Sequence, residues 1–171
     1  MSANQTEIII IKGAPASGKS SVAKCLAKEF PNGIRLEVDI IRSMVISVDW
    51  TNQNEHINML GVSAKLTNEF LLLGHTPVIV VDTFSGDKVV RFIEQLKTIN
   101  DSLIIKVFGL YTTEDELRKR VDARKENEFR EVDICLKLNA DVIKMKLKDE
   151  VQIDTTGMLP NEITKLIYTL L

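Results

Sequence analysis

Cysteine is scarce. Cys25 and Cys135 are the only two, and neither stands in a metal-ligating or redox spacing. That excludes a cysteine-ligated metal centre and a CxxC redox site. Each falls in an apolar helical pattern, so both are expected to be small core residues with reduced thiols. Histidine is as scarce. His56 and His75 have no Cys, Asp or Glu pattern suited to a metal, and both are expected at the surface or at a helix end. Long apolar runs are missing: none reaches the roughly 18–20 residues of a membrane span. The run at 8–11 is too short for a signal peptide and lacks its cleavage pattern. A cytoplasmic protein without membrane contact is therefore expected. No basic field is present, because 27% of residues are charged and the formal net charge is -2. A large duplex nucleic-acid footprint is disfavoured, while a small groove for a strand end stays open. No guanine-specifying N-K-x-D follows the later strands, which argues against a GTPase switch. No linker, repeat or low-complexity tract interrupts the chain, so one domain is expected over 1–171.

What is present is organised around Gly13-Ala14-Pro15-Ala16-Ser17-Gly18-Lys19-Ser20, with Ser21 following. The form is G-x-x-x-x-G-K-[ST]. Four consecutive Ile residues, Ile8 to Ile11, precede it and read as a buried parallel strand. Val22, Ala23, Leu26, Ala27 and Phe30 follow at helical spacing. Strand, loop and helix together are the context of a genuine P-loop. Gly13 and Gly18 permit close approach and backbone angles that a Cβ obstructs. The loop N–H groups and the helix N-terminus then face phosphate oxygens. Lys19 brings positive charge to the β/γ-phosphates, and Ser20 offers a hydroxyl to Mg²⁺. ATP and Mg²⁺ are the expected cofactors.

Residues 1–6 are polar and expected to be loose, and Pro31-Asn32-Gly33 stops the first helix. Strands are expected at 34–38, 77–81, 103–110 and 151–154. Helices are expected over 40–48, 55–73, 87–99, 132–145 and 161–171, and one opens at Thr113 with Glu116 completing a capping box. The 55–73 helix should bury Ile57, Leu60, Ala64, Leu66, Phe70 and Leu73, and the 87–99 helix Val90, Ile93, Leu96 and the stem of Lys97. The last helix should turn Ile163, Leu166, Ile167 and Leu170 inward. Strand and helix alternate throughout, which specifies α/β with about five parallel strands and helices on both faces.

Ligands of such sheets bind at the carboxyl ends of the strands. Asp39 and Arg42 lie there, spaced D-x-x-R. A carboxylate there can accept a proton from an attacking hydroxyl, and the arginine can hold an anionic acceptor or the transferring phosphoryl group. Asp39 also suits a helix N-cap. Asp82 closes the apolar run 78–81 like a Walker-B aspartate, to bind Mg²⁺ through water or to orient Arg42 by a salt bridge. Arg118, Arg120 and Arg124 share a helix, and the i,i+4 repulsion of Arg120 and Arg124 invites an anionic partner. With the charged run 125–131 they read as a phosphate-clamping lid over about 117–132. Trp50 falls in the candidate acceptor region, about 40–73, as a stacking or packing residue.

These pieces resemble the P-loop kinases of small hydroxyl acceptors, above all the polynucleotide 5′-hydroxyl kinase domain and chloramphenicol phosphotransferase-like proteins. The residues that carry the resemblance are G-A-P-A-S-G-K-S at 13–20, V-D-I-I-R at 38–42, V-I-V-V-D-T at 78–83, L-R-K-R-V-D-A-R at 117–124 and I-D-T-T-G at 153–157. The resemblance implies a three-layer P-loop NTPase fold with sheet order 2-3-1-4-5. It implies Asp39 as general base, Arg42 on the acceptor's phosphate and Asp82 as their support. It makes Arg120 and Arg124 lid arginines on ATP, and places Thr155-Thr156-Gly157 near the adenine. Two features depart from the pattern: residues 125–132 are acidic as well as basic and contain no proline, and 43–73 shows no motif that belongs to one acceptor; after Arg42 that region has none of the arginines a nucleotide acceptor would need. The expected activity is transfer of the γ-phosphoryl group of ATP to a hydroxyl of a small molecule or a nucleic-acid 5′ end. A nucleotide or sugar-acid kinase, and a nucleotide-binding regulatory module without transfer, are the alternatives.

Overall fold

The computed structural model describes residues 6–171, and the element ranges follow from it. Five strands, β1 (Ile8–Gly13), β2 (Ile34–Glu37), β3 (Val78–Asp82), β4 (Ile105–Tyr111) and β5 (Glu150–Asp154), pair in parallel in the order β2-β3-β1-β4-β5. Seven helices connect them: α1 (Lys19–Leu26), α2 (Val38–Arg42), α3 (Gln53–Leu72), α4 (Lys88–Ile99), α5 (Glu114–Asp122), α6 (Val132–Lys144) and α7 (Pro160–Thr169). The central β1 sets Lys12 beside Asp82 on one neighbour and beside Gly109 on the other. The residues that follow the strands therefore converge at one edge.

The unbroken Ile8–Ile11 run has a direct cause: both faces of the sheet are covered. Ile8, Ile10, Val78 and Val80 pack with Leu60 and Ala64 of α3 and with Val89, Phe92 and Leu96 of α4. Ile9, Ile11, Ile79 and Val81 pack with Val22, Ala23 and Leu26 of α1 and with Ile163 and Ile167 of α7. Each such side chain, buried in full, contributes roughly 1.5–3 kcal/mol relative to exposure. Leu117, Val121 and Cys135 form a smaller cluster between α5 and α6.

Several expectations are corrected. Residues 1–5 of the segment expected to be loose lie outside the described residues, and Thr6 is buried. The helix expected over 40–48 begins at Val38 and ends at Arg42, so Asp39 sits in a first helical turn and not at a strand end. The buried stripe of α3 is His56, Leu60, Ser63, Ala64 and Thr67, whereas Leu73 is exposed. Ser63 and Thr67 can be buried because each hydroxyl donates to the carbonyl one turn back, Met59 at 2.8 Å and Ser63 at 2.9 Å. α4 buries Val89 and Phe92 and leaves Val90 exposed. Leu166 and Leu170 of the last helix are exposed. Thr113 occupies the N-cap position of α5 without a side-chain cap; its N–H donates to the Thr156 hydroxyl at 3.0 Å, and Glu116 turns to Arg120 at 2.9 Å, so the capping box does not form. Cys25 is half-buried and Cys135 buried, both as free thiols.

Candidate functional site

The P-loop joins β1 to α1. The Ser17 N–H donates to the Ala14 carbonyl at 3.1 Å and tightens the loop. Ala16 (φ 65°) and Gly18 (φ 94°) take left-handed angles. A Cβ on Gly13 would meet the Ser17 side chain and lie 2.9 Å from the Leu110 carbonyl, so the loop can lie against β4 only with glycine there. Lys19 folds back over the loop and donates to the Ala14 carbonyl at 3.3 Å. Burial lowers the pKa of its ammonium, against the opposing pull of Asp39 and Asp82. The Ser20 hydroxyl donates to Glu37 at 2.9 Å, and Arg35 holds Glu37 from the other side.

Lys19 and Ser20 form one wall of a cavity of about 960 Å³. The end of β2 and the start of α2 supply Glu37, Asp39 and Arg42, and β3 and the loop after it supply Asp82, Thr83 and Ser85. The beginnings of α3 and α4 add Gln53, His56 and Lys88, and the segment after α5 adds Arg124 and residues 126–129. Asp39 is exposed at the mouth. Partial desolvation there raises its pKa, and the Asp82 charge raises it further, while Lys19 and Arg42 pull it down. Arg42, 4% exposed, stacks its guanidinium on Trp50 at 4.7 Å. It donates to the Asp49 carbonyl at 3.3 Å and approaches Glu55 at 4.0 Å, and its Nε has no partner.

Asp82 is buried, and its carboxylate is engaged within the protein. His56 Nε2 lies 3.2 and 3.1 Å from its two oxygens, and the Phe84 N–H donates to it at 2.9 Å. Burial alone would raise its pKa, but the His56 hydrogen bond and charge and the Phe84 N–H outweigh that and hold it low. No bond runs from Asp82 to Arg42 among the described residues; Arg42 turns to Asp49 and Glu55 instead. His56, expected at the surface or at a helix end, lies near the N-terminal end of α3 but is buried and belongs to this site. Lys88, 8% exposed, donates to Gln53 at 2.7 Å and to Ser85 at 2.9 Å.

The arginines of α5 part company. Arg124 faces the main cavity, bonded to Glu128 at 3.4 Å through Nη2, with its buried Nη1 unpartnered. Arg120 turns the other way. It donates to the Thr155 carbonyl at 2.7 Å, the Thr155 hydroxyl at 3.0 Å and the Ser17 carbonyl at 3.2 Å. Arg120 thus ties the Thr155 turn to the P-loop, beside a second cavity of about 200 Å³ lined by Ser17, Gly18, Ser21, Met158 and Pro160. Arg118 is exposed and reaches neither cavity. Glu37, Gln53, His56 and Lys88 escaped the motif reading. Glu37 at the end of β2 and Lys88 at the first turn of the helix after β3 stand where ligands of such sheets bind, but nothing local marks the partners they meet.

Fold and site together define a P-loop nucleotide-binding protein with the architecture of the small kinases. A family model described as an AAA domain matches residues 8–144, and the chain belongs to that family. The tunicamycin resistance protein of Deinococcus radiodurans superposes with a TM-score of 0.70 at 18% identity, over 97% of this chain and 95% of that one. A gluconokinase from Sinorhizobium meliloti gives 0.68 at 15% identity, over 98% and 92%. A chain of the Pnkp1/Rnl/Hen1 RNA repair complex gives 0.66 at 21% identity, over 86% of this chain and 48% of that one. At these identities the likeness is one of fold. None of the curated proteins matches the sequence. Among the described residues, no helix is long and apolar enough to cross a membrane.

Proposed function

We propose that this protein is an ATP-dependent kinase that moves the γ-phosphoryl group of ATP to an alcohol of a small molecule or a nucleic-acid 5′ end. The observation that carries the reading is that Lys19 of the P-loop and Asp39 line one cavity. The P-loop N–H groups and Lys19 hold the β/γ-phosphates. Arg124, with a buried Nη1 that lacks a partner, bonds the transferring group. Asp39 takes the proton of the acceptor hydroxyl, whose oxygen attacks the γ-phosphorus as the bond to the bridging oxygen breaks and ADP departs. A pKa raised above the ordinary aspartate value makes Asp39 a better proton acceptor. Arg42 faces the acceptor. Arg120 and Thr155 shape the nucleotide's base end beside the second cavity.

The oxygen donors fit Mg²⁺. Ser20 keeps its lone pairs free by donating to the adjacent Glu37, and Asp39 lines the same cavity. Asp82, engaged by His56 and Phe84, would reach the ion through water. When bound, Mg²⁺ neutralises charge on the β/γ-phosphates.

The test is transfer of labelled γ-phosphate to a panel of 5′-hydroxyl oligonucleotides, nucleosides, nucleotides, sugar acids and chloramphenicol-like alcohols. Lys19→Ala should abolish transfer with the fold intact. Asp39→Asn should lower kcat by about 10²-fold or more with ATP affinity nearly kept. The acid limb of the pH profile, which reports deprotonation of the base, should lie above the ordinary aspartate range and vanish in Asp39→Asn. Unchanged turnover in Lys19→Ala would overturn the reading.

A further inference from the structure

We infer that Lys88 is the centre of an oxyanion subsite at the acceptor end of the cavity, so that the acceptor carries a carboxylate or phosphate besides its reacting hydroxyl. The inference rests on the kinase reading for the word acceptor, but the subsite itself does not need it.

A buried cation is costly unless its protons are paired. Lys88 is 8% exposed, and its ammonium has three protons to place. Two go to neutral oxygens, the Gln53 amide at 2.7 Å and the Ser85 hydroxyl at 2.9 Å. The carboxylates whose charges act on it are Asp82 and Asp87, and both are bonded elsewhere. Asp82 serves His56 and the Phe84 N–H, and Asp87 pairs with Arg91 at 2.7 Å. Lys88 is therefore a nearly buried cation with neutral hydrogen-bond partners, one proton left over, and the cavity in front of it. Burial lowers its pKa, and the charge of Arg42 lowers it further.

Arg42 supplies the second, independent observation. It is 4% exposed, lines the same cavity, and its Nε proton has no partner. Its contact with Glu55, at 4.0 Å, is at the limit of an ion pair. Two under-compensated cations that repel each other across one space are stabilised by an oxyanion between them. Lys88 at the start of α4 and the P-loop between β1 and α1 line the same cavity from different elements. An anion held by Lys88 and Arg42 would position an alcohol in that cavity, and a neutral alcohol would leave the third Lys88 proton and the Arg42 Nε proton without an acceptor.

The experiment has a binding arm and a turnover arm. In the first, inorganic phosphate and acetate are titrated separately into the protein saturated with a non-hydrolysable ATP analogue and Mg²⁺, followed by NMR of lysine and arginine side chains. Saturable shifts at Lys88 and Arg42 are expected, weakened at least tenfold in Lys88→Met, retained in Lys88→Arg and unaffected by Lys97→Ala. The relative strength of the two probes distinguishes a phosphate from a carboxylate. In the second arm, alcohols that differ only by an anionic group are compared, such as a nucleoside with its 3′-monophosphate and glucose with gluconate. The anionic member should be preferred at least tenfold in kcat/KM, and Lys88→Met should erase that preference through KM. Absence of saturable shifts in wild type, or a preference that survives in Lys88→Met, overturns the inference. Phosphate binding that Lys88→Met abolishes, without transfer to any alcohol, supports the subsite and removes the kinase reading instead.

Discussion

Lys12 shows how much a single residue beside the P-loop can matter. It is 1% exposed and bonds Glu150, 0% exposed at its side chain, at 2.8 Å, and the Met145 carbonyl at 2.9 Å. Gly109 on the intervening strand gives Glu150 its room, since a Cβ there would collide with the Glu150 carboxylate. Breaking a buried pair by removing one partner costs far more than the pair is worth, because a naked charge remains. Lys12→Ala should therefore cost about 3–5 kcal/mol, measured by urea denaturation, and Lys12→Met combined with Glu150→Leu should recover most of it. A loss below ~1 kcal/mol in the single variant would mean that water reaches the pair. The same scale explains what the sequence could and could not tell. Lys19, Ser20 and Asp39 were legible because a local motif or spacing carries them. Glu37, His56 and Lys88 owe their roles to partners 17, 26 and 35 positions away, Ser20, Asp82 and Gln53. No local pattern encodes such meetings.

Among the elements, the strands and their order were legible because burial on both faces leaves continuous apolar runs, and right-handed crossovers leave few ways to arrange them. α3 is the helix expected, and Leu60, Ala64, Leu66 and Phe70 of its apolar stripe do face the core, but Leu73 does not and polar residues join the buried face. His56, Ser63 and Thr67 look like solvent-facing residues and are buried, two of them by bonding their own helix. His56 joins α3 to β3 through Asp82, and that joint has a pH signature. The pKa of Asp82 is held below its unfolded value, so its contribution to stability is complete above the unfolded value of about 3.9 and is lost as pH falls through the folded one. Asp39 has the opposite sign. Its raised folded pKa means that folding favours its protonated form, so lowering the pH into that window stabilises the protein. In denaturation measured from pH 7 to pH 3, Asp82→Asn should flatten the loss of stability on the acid side, and Asp39→Asn should steepen it. Equal curves for both variants would show that neither shift survives in solution. Asp82→Asn also leaves His56 with a weaker partner, so it should be less stable at pH 7 by on the order of 1–3 kcal/mol.

At the scale of the whole molecule, the P-loop, Arg42 and Lys88 line one cavity at the carboxyl ends of the strands, and the segment following α5 lines it too. Glu126, Asn127, Glu128 and Phe129 line the main cavity and are also exposed to solvent. Among the described residues, the Arg124 side chain, at the root of this segment, bonds Glu128 at 3.4 Å and keeps a buried Nη1 without a partner. A γ-phosphate is a far better acceptor for that guanidinium than Glu128, because the phosphate offers several charged oxygens in a water-poor cavity. Exchanging Glu128 for the nucleotide would draw the segment down and keep water from the transferring group. Lys125 and Arg130 flank the segment, and both are exposed, which gives the motion a simple readout. Limited trypsin digestion should cut at these two sites in the free protein. A non-hydrolysable ATP analogue with Mg²⁺ should slow that cleavage several-fold, ADP should slow it less, and Arg124→Ala should remove the difference between the two nucleotides. Cleavage that ignores the nucleotide while the analogue is bound would mean that the segment is a fixed rim, and that Arg124 meets the phosphate without any closure.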